Sequence, residues 1–117
     1  MSAGSWQLDN LIGIVDVNNQ QANGPSTKVL NFEPLHAKFE AFNWHVQRVD
    51  GNDIDALVAA FDTARNLTEP KPRIVICDTK MAKGVPFLEE RERNHFLRVE
   101  PHEWQKALEL FDAGRTS

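Results

Sequence analysis

Leu11-Ile12-Gly13-Ile14-Val15 is apolar at almost every position and is bounded by Asp9-Asn10 before it and by Asp16 and Asn18-Asn19 after it. A run this short, without polar alternation, predicts a strand buried on both faces, as inside a parallel sheet covered by helices. Arg73-Ile74-Val75-Ile76-Cys77-Asp78, rich in β-branched residues, reads the same way. Trp44-His45-Val46-Gln47-Arg48-Val49 alternates in type and runs into the turn signal Asp50-Gly51, which gives another strand.

Helical spacing fills the intervals. From Pro34, Leu35, Phe39 and Phe42 recur on one side with Lys38 and Glu40 on the other. Asn52 or Asp53 can cap a second helix whose apolar stripe is Ile54, Leu57, Val58 and Phe61, and Pro70-Lys71-Pro72 breaks the chain beyond it. A last helix opens at Glu100-Pro101, presents Trp104, Ala107, Leu108 and Phe111, and is expected to stop at Gly114. Residues 16–33, rich in Asn, Gln, Gly and Ser, are expected to form a long loop, and loops of that length in a compact domain usually carry function.

The order β-α-β-α-β-α predicts an α/β fold with a parallel sheet, helices on both faces and ligands at the carboxyl ends of the strands, so functional residues are sought after Val15, Val49 and Cys77. Three strands are few for such a sheet, which suggests a partial domain. Met1 to Gln7 lacks periodicity and is set aside as a disordered start or expression remnant, leaving 8–117 as the domain.

With 117 residues and a net charge of −4, the chain has its Lys and Arg scattered among acids, so no basic face for nucleic acid is expected. The absence of an 18-residue apolar run and of a leader-like start points to the cytoplasm and away from a membrane. Cys77, the single cysteine, reads as a buried strand residue. Trp6, Trp44 and Trp104 read as packing residues. His36, His45 and His102 have no partner at metal-ligand spacing, and Glu89-Glu90-Arg91-Glu92-Arg93 reads as a solvated face.

The stretch Asp16-Val17-Asn18-Asn19-Gln20-Gln21 concentrates oxygen donors without clustered Cys or His, which favours a hard cation over zinc. Magnesium is commonly held by one or two carboxylates and substrate phosphate, with a neutral side-chain oxygen and a backbone carbonyl as supplementary ligands. On these residues alone, a simple turn after a strand remains the other reading.

Taken in order, Leu8-Asp9-Asn10-Leu11, Asp16-Val17-Asn18, Gly24-Pro25, Glu33-Pro34-Leu35, Trp44-His45-Val46, Val49-Asp50-Gly51, Pro72-Arg73-Ile74-Val75-Ile76-Cys77-Asp78-Thr79-Lys80, Lys83-Gly84-Val85-Pro86 and His102-Glu103-Trp104 resemble transketolase. The narrower likeness is to the later part of the thiamine-diphosphate-binding domain in the N-terminal subunit of split transketolases. The resemblance implies a three-layer α/β/α fold and a two-carbon ketol transfer between sugar phosphates that uses thiamine diphosphate and Mg2+. It gives Asn18 a metal ligand through its side chain and Gln20 one through its carbonyl, both beside the cofactor's diphosphate. Lys83 and His95 become cofactor contacts, and His95 a catalytic residue as well.

The family also uses a Gly-Asp-Gly carboxylate, which these 117 residues do not contain; the resemblance places it upstream. The metal and cofactor site is therefore expected to be incomplete, the isolated chain inactive, and the partners to be the missing transketolase segments or a C-terminal subunit. Ala82 stands where the family commonly has glycine, so a positive φ there would strain the loop holding Lys83. The alternative expectation is a truncated, non-catalytic paralogue acting as a self-associating module. A homo-oligomer is expected on either reading, because a truncated sheet leaves a bare edge.

Overall fold

The apolar runs and helical stripes become, in chain order, α1 (Ser2–Ser5), β1 (Ile12–Val17), β2 (Gln20–Gln21), β3 (Gly24–Pro25), α2 (Ser26–Val29), α3 (Leu35–Ala41), β4 (His45–Asp50), α4 (Ile54–Asn66), β5 (Arg73–Asp78), α5 (Pro86–Glu89) and α6 (Pro101–Arg115). These coordinates are a computed structural model and describe residues 1–21, 24–91, 95 and 98–115. They form two units, Met1–Asn18 with Asn31–Thr79, and Asn19–Leu30 with Lys80–Ser117.

In the first unit β1, β5 and β4 form a parallel sheet in that spatial order. The strand latest in the sequence is thus the central one, and Arg73 through Cys77 are all buried. One face carries Val17, Ile74 and Ile76 against Leu35 and Phe39 of α3, with the Trp44 ring edge-on to Phe39 at 5.5 Å between centroids. The other carries Val75 and Cys77 against Leu57, Ala60 and Phe61 of α4. This is the expected α/β/α layering, since a parallel sheet must hide both faces.

Several sequence expectations need correction. β1 is an edge strand, and its Ile14 is 61% exposed. The helix α4 packs on the sheet through Ala60, with Leu57 and Phe61 beside it, and Ala64 is buried as well, while Ile54 and Val58 of its expected stripe face outward. Alanine lets the helix axis approach Val75 closely, so the small residues sit innermost. Asp53 does cap α4, its carboxylate accepting the Ala56 N–H at 3.1 Å. Trp44 packs as expected, but Trp6 and Trp104 are exposed. The segment set aside at the start contains the turn α1, where Gly4 packs on Phe42: a Cβ there would lie 1.8 Å from the Phe42 carbonyl oxygen.

The long loop expected over 16–33 is broken up within the second unit, where β2 and β3 pair antiparallel and α2 follows β3 directly. Val85, Leu88 and Ala107 form a small core between α5 and α6. The helix α6 continues through Gly114 to Arg115. Of its expected stripe only Ala107 is buried, leaving Trp104, Leu108 and Phe111 outward.

Candidate functional site

The register of the sheet aligns the carboxyl ends of its strands, Val17 and Asp50 each standing opposite Asp78. Asn18, Gly51 and Thr79 therefore emerge side by side, at the end where open α/β sheets take ligands. Polar side chains knit this end together. The Thr79 N–H donates to the Val17 carbonyl at 3.0 Å, and its hydroxyl donates to the Asp16 carboxylate. Arg48 donates through Nε and Nη2 to both oxygens of Asp78, each at 2.8 Å, and Nη2 also reaches Glu33 at 2.8 Å. Hydrogen bonds to Asp78 and then to Glu33 push the guanidinium pKa up. The Glu33 carboxyl is pushed down, first by Arg48 and next by the Leu35 N–H. Burial, then the Asp16 and Asp78 charges, raises the Cys77 thiol, so it stays a neutral packing group.

Gly51 is required here by close approach. Its N–H donates to the Asp78 carbonyl at 2.7 Å, and a Cβ would fall 2.6 Å from Thr79 Cγ2 and 2.8 Å from Cys77 Cβ.

Asn18 closes the first unit and is half-buried. The next residue, Asn19, has a φ of 58°, a left-handed conformation that Asn tolerates better than most residues. Its carbonyl accepts the Ser26 N–H at 2.9 Å. Sequence reading gave Asn19 no ligand role, and its task is this turn. Gln20, the residue after Asn19 in the second unit, is half-buried and paired with Pro25. Ser26 is 4% exposed and its hydroxyl lacks a protein partner among the described residues. It is an orphaned polar atom in the same segment as Gln20.

Lys83 and His95 also belong to the second unit and are exposed. The loop bearing Lys83 is pinned by Glu89, whose carboxylate accepts Lys80 Nζ at 2.6 Å and the Gly84 N–H at 2.8 Å. The Lys80 hydrogen bond and then the Gly84 N–H lower the Glu89 pKa, and Glu89 raises that of Lys80. Glu89 is therefore not part of a solvated charge run, since its side chain is only 11% exposed. Ala82 has a φ of 55°, the left-handed conformation whose cost follows from the departure from glycine. Of the expected charge run, residues 92–93 lie outside the described residues.

The oxygen donors at Asn18 and Gln20 have the right chemistry for a magnesium-bound diphosphate. They do not complete a site: among the described residues, no group of three or more His, Cys, Asp or Glu could hold a metal ion. The family described as transketolase, thiamine diphosphate binding domain, matches residues 1–109. The chain belongs to the transketolase family. Its match to the family begins at residue 1 and so takes in the α1 turn.

A transketolase family protein of Sinorhizobium fredii is 74% identical over all 117 residues, which cover 42% of that relative. A 6-deoxy-6-sulfo-D-fructose transketolase subunit of a Clostridium species is 34% identical over 92% of this chain and 39% of its own. The crystal structure of transketolase from Campylobacter jejuni superposes with a TM-score of 0.83 at 32% identity, over 97% of this chain and 17% of that one. This chain thus spans less than half the length of these curated relatives, and the family fold is a thiamine diphosphate-binding one.

Proposed function

We propose that this chain contributes part of the magnesium and thiamine diphosphate site of an enzyme that transfers two-carbon ketol units between sugar phosphates, and that it is inactive alone. The observation that carries the reading is the pairing of a family match over residues 1–109 with a strand-end segment rich in oxygen donors but poor in carboxylate ligands. Asn18 would hold the metal through its side-chain oxygen and Gln20 through its carbonyl; Lys83 and His95 would contact the cofactor, and His95 the substrate as well. The orphaned Ser26 hydroxyl supports a polar ligand in this segment. Thiamine diphosphate supplies carbanion stabilisation when bound, and the protein's part is to bind and orient it. Asn18 and Gln20 carry no charge, so a carboxylate from another segment would supply the affinity.

The partners are the missing transketolase segments or a C-terminal subunit, and the compartment is the cytoplasm. Among the described residues, no helix is long and apolar enough to cross a membrane. Mixing the chain with the missing segments should restore ketol transfer that depends on thiamine diphosphate and magnesium. Asn18→Ala in that assembly should raise the magnesium requirement. Failure of well-folded components to give activity, or an unchanged magnesium requirement, would refute the respective assignment.

The outward apolar residues favour a second reading, a self-associating module without chemistry. Ile14 on the edge strand of the first unit and, separately, Trp104 and Leu108 on α6 of the second are each more than half exposed, and an unpaired strand edge is a template for self-association. Light scattering with calorimetric titration, carried out with the missing segments added, separates the two: the module remains a homo-oligomer and gains no magnesium or thiamine diphosphate affinity.

A further inference from the structure

We propose that Thr79 is a positioning residue for Asn18, locking the strand end from which that side chain emerges. The lock lies wholly within the first unit. β1 ends at Val17, opposite Asp78, so Asn18 is the first residue beyond the paired positions. Thr79, the first residue after β5, reaches across to β1 at two points. Its N–H donates to the Val17 carbonyl at 3.0 Å, and its hydroxyl donates to the Asp16 carboxylate. The Val17 carbonyl shares a rigid peptide plane with the nitrogen and Cα of Asn18, so holding that oxygen holds the origin of the Asn18 side chain. The Val17 side chain, 2% exposed, is meanwhile packed with Ile74 and Ile76.

Threonine suits this place through both branches of its Cβ. The hydroxyl engages Asp16 on β1, and the methyl lies against the turn after β4, where a Cβ on Gly51 would fall 2.6 Å from it. With both branches engaged, the side chain is held in one χ1 setting, which a β-branched residue leaves reluctantly. The β ladder itself uses only main-chain groups, so the Thr79 hydroxyl is an addition to the sheet and acts on the strand end. A neutral amide oxygen is a weak ligand for a hard cation, and groups behind a ligand that fix its orientation raise the affinity of the site.

The lock stands on geometry alone; its consequence for magnesium rests on the function proposed above. Residue-resolved hydrogen exchange on the full chain, without ligands, tests the lock. In Thr79→Val, which keeps the shape and loses the hydroxyl, protection of the amide at position 79 should fall about fivefold, and Asp16→Ala should lower it by the same factor. The double variant should show no further fall, as two partners in one bond require. The Val75 and Ile76 amides should stay within about twofold of wild type throughout. Thr79→Ser, which keeps the hydroxyl and loses the methyl, should also stay within about twofold at position 79.

An unchanged amide at position 79 in Thr79→Val, a matching loss of protection at Val75 and Ile76, additive losses in the double variant, or a larger fall in Thr79→Ser than in Thr79→Val would overturn the lock. In the assembly reconstituted with the missing segments and thiamine diphosphate, Thr79→Val should weaken magnesium binding about fivefold in calorimetry. It should also raise the apparent KM for magnesium by a larger factor than it lowers kcat. Wild-type magnesium affinity in that variant would refute the positioning role. Should wild-type components fail to complement, the functional proposal falls and the exchange result still decides the lock.

Discussion

Two arginines mark the two ends of the same sheet, and they are held in opposite ways. Arg73, at the amino end of β5, is 4% exposed and spends its guanidinium on neutral carbonyls: those of Asp9 and Leu67, and that of Lys71 at 2.9 Å. It ties the approach to β1, the end of α4 and the start of β5 into one corner. Arg48, near the carboxyl end of β4, is a third exposed and is held by the carboxylates of Asp78 and Glu33. A buried cation among carbonyls is costly to disturb, because each orphaned acceptor loses its partner away from water. A half-exposed ion pair is inexpensive to disturb and can be altered without unfolding the chain. The amino end is thus the closed, stability-bearing end of the sheet, and the carboxyl end the open one.

The comparison can be broken most sharply at its closed end. Arg73→Met should cost about 3 kcal/mol in urea unfolding, on the scale of a few orphaned acceptors at ~1–3 kcal/mol each. A loss no larger than that of Arg48→Met would erase the distinction. Next comes Gly51→Ala, where the added methyl meets Thr79 and Cys77. An overpacking loss of about 2 kcal/mol is expected in thermal unfolding, showing that the main chain of the open end is tightly packed even where its side chains are wet.

Arg48→Met should cost under about 1 kcal/mol by the same urea measurement. The smallest effect is one of pH. Glu33 has its carboxyl lowered below the ordinary 4.5, so its contribution is complete above that pH and is lost as pH falls through the folded value. The stability difference between wild type and Glu33→Gln should therefore vanish in acid. The Arg73→Met difference, which rests on carbonyls, should survive there. Acid unfolding profiles of the two variants check both outcomes.

Local pattern made much of this legible. The β5 span agrees with its sequence reading from Arg73 to Asp78, and of the two caps offered for α4, Asn52 and Asp53, the structure uses Asp53. What failed was spatial order. Periodicity shows that Leu11–Val15 is apolar, but not that Ile14 lies on an edge strand and Val75 in the middle. Nor could hydrophobic spacing tell that Ala60 and Ala64, not Ile54 and Val58, would lie innermost in α4.

At the candidate site, oxygen chemistry around Asn18 and Gln20 was visible in composition, and the left-handed strain at Ala82 followed from its departure from a glycine-rich loop. Arg48, Thr79 and Glu89 were missed. Their partners lie 30, 63 and 9 positions away in the numbering, as Asp78, Asp16 and Lys80, and no local spacing encodes the two longer pairings. The Asp-Thr pair closing a strand was the one available signal.

By itself the sequence determined the alternation of strands and helices, the parallel sheet that alternation requires, the family, and the oxygen-donor character of the segment after β1. These depend on residue type and short-range period, which every window of the chain displays. Only the tertiary structure decided that β5 is central, that Val17, Asp78 and Asp50 end in register, and that Asp78 and Thr79 bond to residues as distant in the chain as Arg48 and Asp16. Those facts arise from hydrogen bonds between distant positions, whose partners are fixed when the strands choose their neighbours.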